Sequence, residues 1–298
     1  MSELSFWIAC IFEGITFGCI YGLFGLGIVL LFRANKFFNF AQTQIVAFLM
    51  ILLVLMVEHI PLPIVIFIIG PLFGFASGFI LHFGLMRFIT ERRTGLESGQ
   101  MIVTFGLLLM FGNLSSFVLG DLPRKFPSLF KGGSVSYLGV SFSYDSIGII
   151  VVSTVVMAAT MIFFSKTQMG LKMEAIAENM TAARLRGIRA SNVLALAWGL
   201  TGLLGIIGGI LIAPKVFVSP QMLTHVLVYS LIAVVIGGLE SPSGAIIGGL
   251  AIGVLENLAA NLEFVGSELK FAVVFCFMVL CLITKPFGLF GKPDFRRV

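Results

Sequence analysis

The chain has 298 residues, 58% of them hydrophobic and 11% charged, with a formal net charge of +5 and a mean hydropathy of +1.09. A typical soluble domain is roughly 45–50% apolar and about 25% charged, so this composition excludes a water-soluble globular fold and marks an integral membrane protein. The basic residues lie scattered between apolar blocks and line no face. That excludes a nucleic-acid surface and makes their placement a report on topology.

A span takes about 20 apolar residues to cross a hydrocarbon core roughly 30 Å thick. The chain contains about eight to nine such blocks, which predict an all-α, polytopic transmembrane helical bundle forming one domain over residues 1–298. The opening MSELSF lacks the positive n-region of a secretory signal, so the first block, 6–32, is expected to stay as a span. It ends at Arg33 and Lys36, marking a cytoplasmic end and placing the N-terminus outside. Block 38–57 returns outward to the charge-poor loop EHIPLP, and 64–85 comes back to Arg87, Arg92 and Arg93. Block 101–119 leads to an external loop, 120–145, and 147–165 re-enters to a polar stretch, 166–191. Blocks 193–213, 226–239, 245–262 and 269–284 then bring a cytoplasmic C-terminus to Lys285, Lys292, Arg296 and Arg297. Of the 19 Lys and Arg, all but Arg124, Lys125, Lys131, Lys215 and Lys270 fall inside, the asymmetry of the positive-inside rule. Block 226–239 is short, about 14 residues, and is compatible with a re-entrant or broken helix.

The stretch 166–191 is the longest polar run, and it carries Lys166, Lys172, Arg184, Arg186 and Arg189. Within it Met173, Ile176, Ala177, Met180, Ala183 and Gly187 recur at three- and four-residue intervals, giving a small apolar face. Asn179 is suited to cap a second turn and Gly187 to end it. The reading is an amphipathic hairpin between two spans, against which another protein docks.

Glycines four apart (Gly18 and Gly22; Gly70, Gly74 and Gly78; Gly205 and Gly209; Gly244 and Gly248; Gly249 and Gly253) predict close helix packing. Cys10, Cys19, Cys276 and Cys281 fall in apolar runs without metal-ligand spacing and are read as small core residues. The polar residues expected within the membrane are Glu13, His82, Asn39 with Gln42 and Gln44, and Glu256 with Asn257. Such residues face the bundle interior or a water-filled path. Asn39 and Gln42, three apart on one helical face, suit both a path for a small polar solute and hydrogen bonding between helices. Glu13 and Glu256 keep open a second class, an ion-coupled secondary transporter of a small polar solute. No phosphate-binding loop, zinc motif or nucleophile elbow occurs, so no enzymatic activity and no ATP hydrolysis of its own are expected.

The run Gly14-Ile-Thr-Phe-Gly-Cys-Ile-Tyr21-Gly-Leu, then Gly25-Leu-Gly27 and Asn39-Phe-Ala41-Gln42, resembles the opening of the permease subunits of branched-chain amino acid ABC importers. Glu174 to Ile188 is similar to that family's cytoplasmic A-x-x-x-N-x-x-x-A-x-x-x-G-I loop. Leu211 to Pro214, Val218 to Pro220, the Gly237 to Ala245 segment and Leu255-Glu256 fit its last third, and the length resembles the smaller of two paired permeases. Departures are Gln42-Thr43-Gln44, which lacks the family's usual glycine and acid, Met180-Thr181 in place of a common Pro-Glu, and Phe32-Arg33.

The resemblance implies a permease in the bacterial or archaeal cytoplasmic (inner) membrane. It implies a second permease subunit, in a heterodimer or a homodimer, two ATP-binding subunits, an extracytoplasmic solute-binding protein and surrounding membrane lipid. The chain itself then needs no cofactor, because ATP is held by the partners. The solute is implied to be a branched-chain or related amino acid, or a small amide such as urea. Glu174, Ala175, Ala177, Asn179, Ala182, Ala183, Gly187 and Ile188 are assigned to ATPase coupling, and Asn39, Gln42, Gln44 and Glu256 to the translocation path. The external loop, with Val135, Tyr137, Leu138, Val140 and Phe142 near Arg124, Lys125 and Lys131, is the expected docking surface for the binding protein.

Overall fold

The structure, a computed structural model, describes residues 3–57, 63–91, 97–120, 122–130, 133–137, 140–262 and 265–291. Most of loop EHIPLP, Arg92, Arg93, Lys131, Leu138, Lys292, Arg296 and Arg297 lie outside the described residues. In chain order the helices begin with α1 (Glu3–Asn35), α2 (Gln42–Val57) and α3 (Pro63–Leu81). A π-helical turn, His82–Met86, joins α3 to α4 (Arg87–Glu91), and α5 (Glu97–Leu119) follows. Strands β1 (Ser134–Tyr137) and β2 (Val140–Ser143) precede α6 (Tyr144–Lys166), α7 (Gln168–Glu178) and α8 (Met180–Leu185). The chain ends with α9 (Ala190–Val216), α10 (Thr224–Gly237), α11 (Pro242–Ala260) and α12 (Gly266–Thr284).

Every apolar block expected as a span is helical over most of its length. Among the described residues six helical stretches are long and apolar enough to cross a membrane, while α2 and α10 are shorter apolar helices. The expectation of eight to nine crossings thus exceeds what length and composition support by themselves. Helix α2 has 16 residues because its block is broken at Asn39, whose Oδ1 accepts a hydrogen bond from the Ala41 N–H at 3.1 Å and turns the chain before the helix starts. Asn39 and Gln42 therefore do not share a helical face. The loop 120–145 holds a small antiparallel hairpin, pairing Val135 with Phe142 and Tyr137 with Val140, so among the described residues the architecture is helical apart from one ribbon. Cys276 is exposed on α12 and is not a core residue, whereas Cys10 and Cys19 are buried.

The chain divides into two compact units. The first comprises residues 1–29, 130–157 and 228–298, and the second 30–129 and 158–227. In the first unit α1 lies against α11 with backbones in contact. A Cβ added at Gly14 would stand 2.7 Å from the Val254 Cα, and one at Gly18 would stand 2.8 Å from the Leu250 Cα. From the other side, a Cβ at Gly249 or Gly253 would overlap the α1 backbone at Gly22 or Gly18. The hairpin packs on α1 through an edge-to-face contact between Phe12 and Phe142, centroids 4.7 Å apart. In the second unit α3 crosses α9, where Gly74 and Gly78 meet the carbonyls of Gly202 and Trp198. Helix α2 packs on both α5 and α9, with Phe40 stacked on Phe105 and Met50 against Gly209.

These contacts set a stability expectation. Gly253→Leu, whose side chain would meet backbone on α1, should destabilise the protein by about 3 kcal/mol or more, at the upper end of overpacking penalties. Gly106→Ala on α5, where nothing lies within 4 Å, should be near neutral. Thermal unfolding of the detergent-purified variants checks both.

Candidate functional site

The polar stretch folds into an elbow of two short helices. Thr167 caps α7, its Oγ1 accepting from the Gly170 N–H at 3.2 Å. Asn179 stands at the joint. Its own N–H donates to the Ala175 carbonyl to close α7, and its Oδ1 accepts from the Ala182 N–H at 3.0 Å to open α8. The cap supplies the start that Met180-Thr181 left without a proline or an acid. Gly187, at φ 82°, ends α8: its N–H reaches the Arg184 carbonyl, and the Ile188 N–H reaches that of Ala183. This left-handed termination turns the chain into α9 within a few residues.

The elbow has two faces. Gly170, Met173, Ile176 and Ala183 are buried in the chain's own second unit, so Ala183, at 4% exposure, faces inward. Leu171, Glu174, Ala182, Arg184, Leu185, Arg186 and Gly187 are exposed, Leu185 at 86%. Ala175, Ala177 and Ile188 are half-buried. Glu174 forms an ion pair with Arg33 at the end of α1, at 3.5 Å. An exposed pair of this kind contributes roughly 0–1 kcal/mol, so it orients more than it holds.

A second cluster begins α2. Asn39 sits in the turn ahead of the helix, and Gln42 is 3% exposed. Both atoms of the Gln42 carboxamide, the Thr43 hydroxyl and the Gln44 Oε1 find no hydrogen-bond partner among the described residues. Gln44 faces Gly112 of α5. A buried polar group left unpaired costs roughly 1–3 kcal/mol, more where no water can enter. The start of α2 is thus polar chemistry without an internal use.

Glu256 presents the opposite case, in the first unit. Its Oε2 accepts from the Tyr21 hydroxyl at 2.5 Å, and its Oε1 from the Lys270 ammonium at 2.7 Å. The Tyr21 ring lies beside that of Tyr229, centroids 5.3 Å apart, and Tyr229 beside Phe271. The carboxylate is neutralised and hydrogen-bonded on both oxygens, which joins α1, α11 and α12. Sequence reasoning singled out Glu256 but not its partners, because Tyr21 is 235 positions away. Lys270, an isolated cation early in an apolar block, was the available signal. Glu13 accepts at 2.7 Å from the Ser146 hydroxyl in the same unit. In the loop between α5 and α6, Arg124 pairs by backbone with Val218, at 3.0 and 2.8 Å, while Leu122 and Val135 stand exposed.

A family model described as branched-chain amino acid transport system / permease component matches residues 10–284. The chain is 26% identical to the high-affinity branched-chain amino acid transport system permease protein BraD of Pseudomonas aeruginosa, and all of both chains is covered. It is also 26% identical, again over both full chains, to the LivH permease of the corresponding Escherichia coli system. It is 27% identical to the fructose import permease protein FruF of Bifidobacterium longum, over 73% of this chain and 60% of that one. No solved structure gives a significant match. With a matching model over nearly all its length and helices long enough to cross a membrane, this multi-pass membrane chain belongs to the branched-chain amino acid transport system permease family.

Proposed function

We propose that the chain is one of two paired permease subunits of an ABC importer in the cytoplasmic membrane. It passes a branched-chain or related amino acid inward from an extracytoplasmic binding protein, and two partner ATPases drive it. The observation that carries the reading is the α7–α8 elbow. It is anchored inward by Met173, Ile176 and Ala183, capped at both ends of α8, and it displays Leu171, Ala182 and Leu185 outward beside Arg184 and Arg186. A chain without a phosphate-binding loop can receive work from ATP only through such a contact. The elbow connects to α6 on one side and α9 on the other, so a push on it reaches two spans directly. Gating of this kind is a shift between two packings, each favoured by different contacts. Of the residues assigned from the resemblance, Ala182 and Gly187 form the docking surface, Asn179 shapes it, and Ala183 seats it.

The positive-inside distribution supports a cytoplasmic elbow, an external N-terminus and nine crossings, with α2 and α10 tilted little or stopping short of a full span. The unpaired carboxamide of Gln42 and the unpaired Oε1 of Gln44 offer a solute the donor and acceptors that water otherwise supplies. They are neutral, which suits a zwitterion or a small amide and leaves net cations and anions without a counter-charge. Glu256, already engaged by Tyr21 and Lys270, serves the bundle, and that occupied carboxylate disfavours an ion-coupled carrier.

Leu185→Asp should leave membrane insertion and complex assembly intact while lowering solute uptake by roughly tenfold or more, the scale of losing an interface anchor. ATP hydrolysis measured alongside should lose its dependence on the loaded binding protein; normal coupled uptake in this variant would overturn the docking role. Gln42→Leu separates the two readings of α2. A solute-contacting side chain predicts unchanged or raised thermal stability, by about 1 kcal/mol, with uptake down roughly tenfold. A structural hydrogen bond predicts that stability and uptake fall together.

A further inference from the structure

A pocket of about 350 Å³ opens in the second unit, where the π-helical turn and α4 meet the segment between α8 and α9. Its polar lining is His82, Arg87, Arg184, Arg189, Ser191 and Asn192. Three guanidinium groups and an imidazole converge there, and no carboxylate lines it among the described residues. His82 is 1% exposed, with its Nε2 3.4 Å from the Ser191 Oγ, so the floor is polar and fixed while the arginines at the rim are exposed. The first turn of α9 also lines the pocket. The N–H groups of Ala190 and Ser191 have no acceptor within the helix, the Asn192 N–H turns back to the Arg189 carbonyl, and the capping residue, Arg189, makes no side-chain cap. The positive end of a 27-residue helix and three cations thus share one cavity, which favours an anion with several acceptor oxygens.

The surroundings indicate how that anion arrives. The stretch Ile66–Ile89 is apolar, long enough to cross a membrane and little buried by the chain itself. Ile80 and Phe88, on either side of the π-helical turn, are exposed at 66% and 61%. The pocket therefore sits at the polar end of an exposed apolar surface. The geometry points to a binding site for the phosphate of an anionic phospholipid, its acyl chains lying along the exposed face of α3 and α4. Basic pockets between helices at the membrane surface recognise anionic headgroups in this way, and arginine is suited to phosphate by its planar fork of donors. Occupancy would tie the end of α3 to the joint through which the elbow enters α9.

The test uses the full chain, purified and exchanged into phosphatidylcholine nanodiscs, with phosphatidylglycerol or inorganic phosphate as the added probe. Phosphatidylglycerol should bind saturably and raise the unfolding temperature, and inorganic phosphate should do neither. The Arg184→Gln/Arg189→Gln double variant should bind the lipid roughly tenfold or more weakly while keeping its unfolding temperature in phosphatidylcholine alone. A photoactivatable phosphatidylglycerol should label wild-type peptides from residues 80–91 or 184–194, which gives a readout independent of any variant. Saturable binding of inorganic phosphate that competes with the lipid would overturn the lipid as the source. Equal affinity in wild type and double variant, or labelling confined to other segments, would overturn the site.

Discussion

Lipid offers helices no hydrophobic reward for leaving it, so association depends on how closely backbones approach. The contacts of α1 with α11 and of α3 with α9 meet that constraint in the same way, with glycines placing main chain against main chain. Neither interface has room for a methyl group at its centre. Helix α10 meets α11 in the same way, Gly237 against Gly244 and Gly248 against Ala233, while in the second unit Phe40 on Phe105 and Met50 against Gly209 are ordinary side-chain contacts. Close backbone contact also leaves polar side chains where they are expensive, which gives each of them diagnostic value.

Two of those side chains separate into different kinds. Glu256 has a donor on each oxygen and binds three helices of the first unit together. Gln42 is more deeply buried, yet neither of its amide atoms is used. A chain shaped only by stability would satisfy or replace such a group, so the asymmetry separates a polar side chain that holds the bundle from one that does not.

Much of this was legible in the sequence. Asn179 and Gly187 announce the ends of α8 through chemistry that acts within four residues, and the apolar blocks announce the helices. Periodicity gave the apolar face of the elbow but not its direction: Ala183 belongs to that face and turns inward, leaving the outer face to Leu171 and Leu185. Alternation in the loop 120–145 marked Val135, Tyr137, Val140 and Phe142, but an isolated pair of strands left no separate trace in a composition that reads as helical. The pairing of Glu256 with Tyr21 and the convergence of His82 with Arg184 and Arg189 were illegible, because each depends on elements distant in sequence. Asn39 was misplaced for a local reason: its side chain competes with the helix for the Ala41 N–H and wins.

The π-helical turn at His82–Met86 is closed by the Arg87 N–H donating to the His82 carbonyl, one residue wider than an α-helical turn. Such a turn acts as a single-residue insertion that the helix absorbs without breaking, and it rotates everything after it by roughly 100° about the axis. Ahead of the turn the rod presents Ile80 outward; beyond it, the same rod carries Arg87 to the pocket and Phe88 to the exposed side. Deleting one residue within the turn would leave an uninterrupted α-helix in which Arg87 still bonds to His82 and keeps its neighbours, whereas closing the turn to α-helical bonds at full length would carry Arg87 and Phe88 about 100° away. The direction in which Arg87 points is therefore held by the width of one turn and not by the identity of the residues after it.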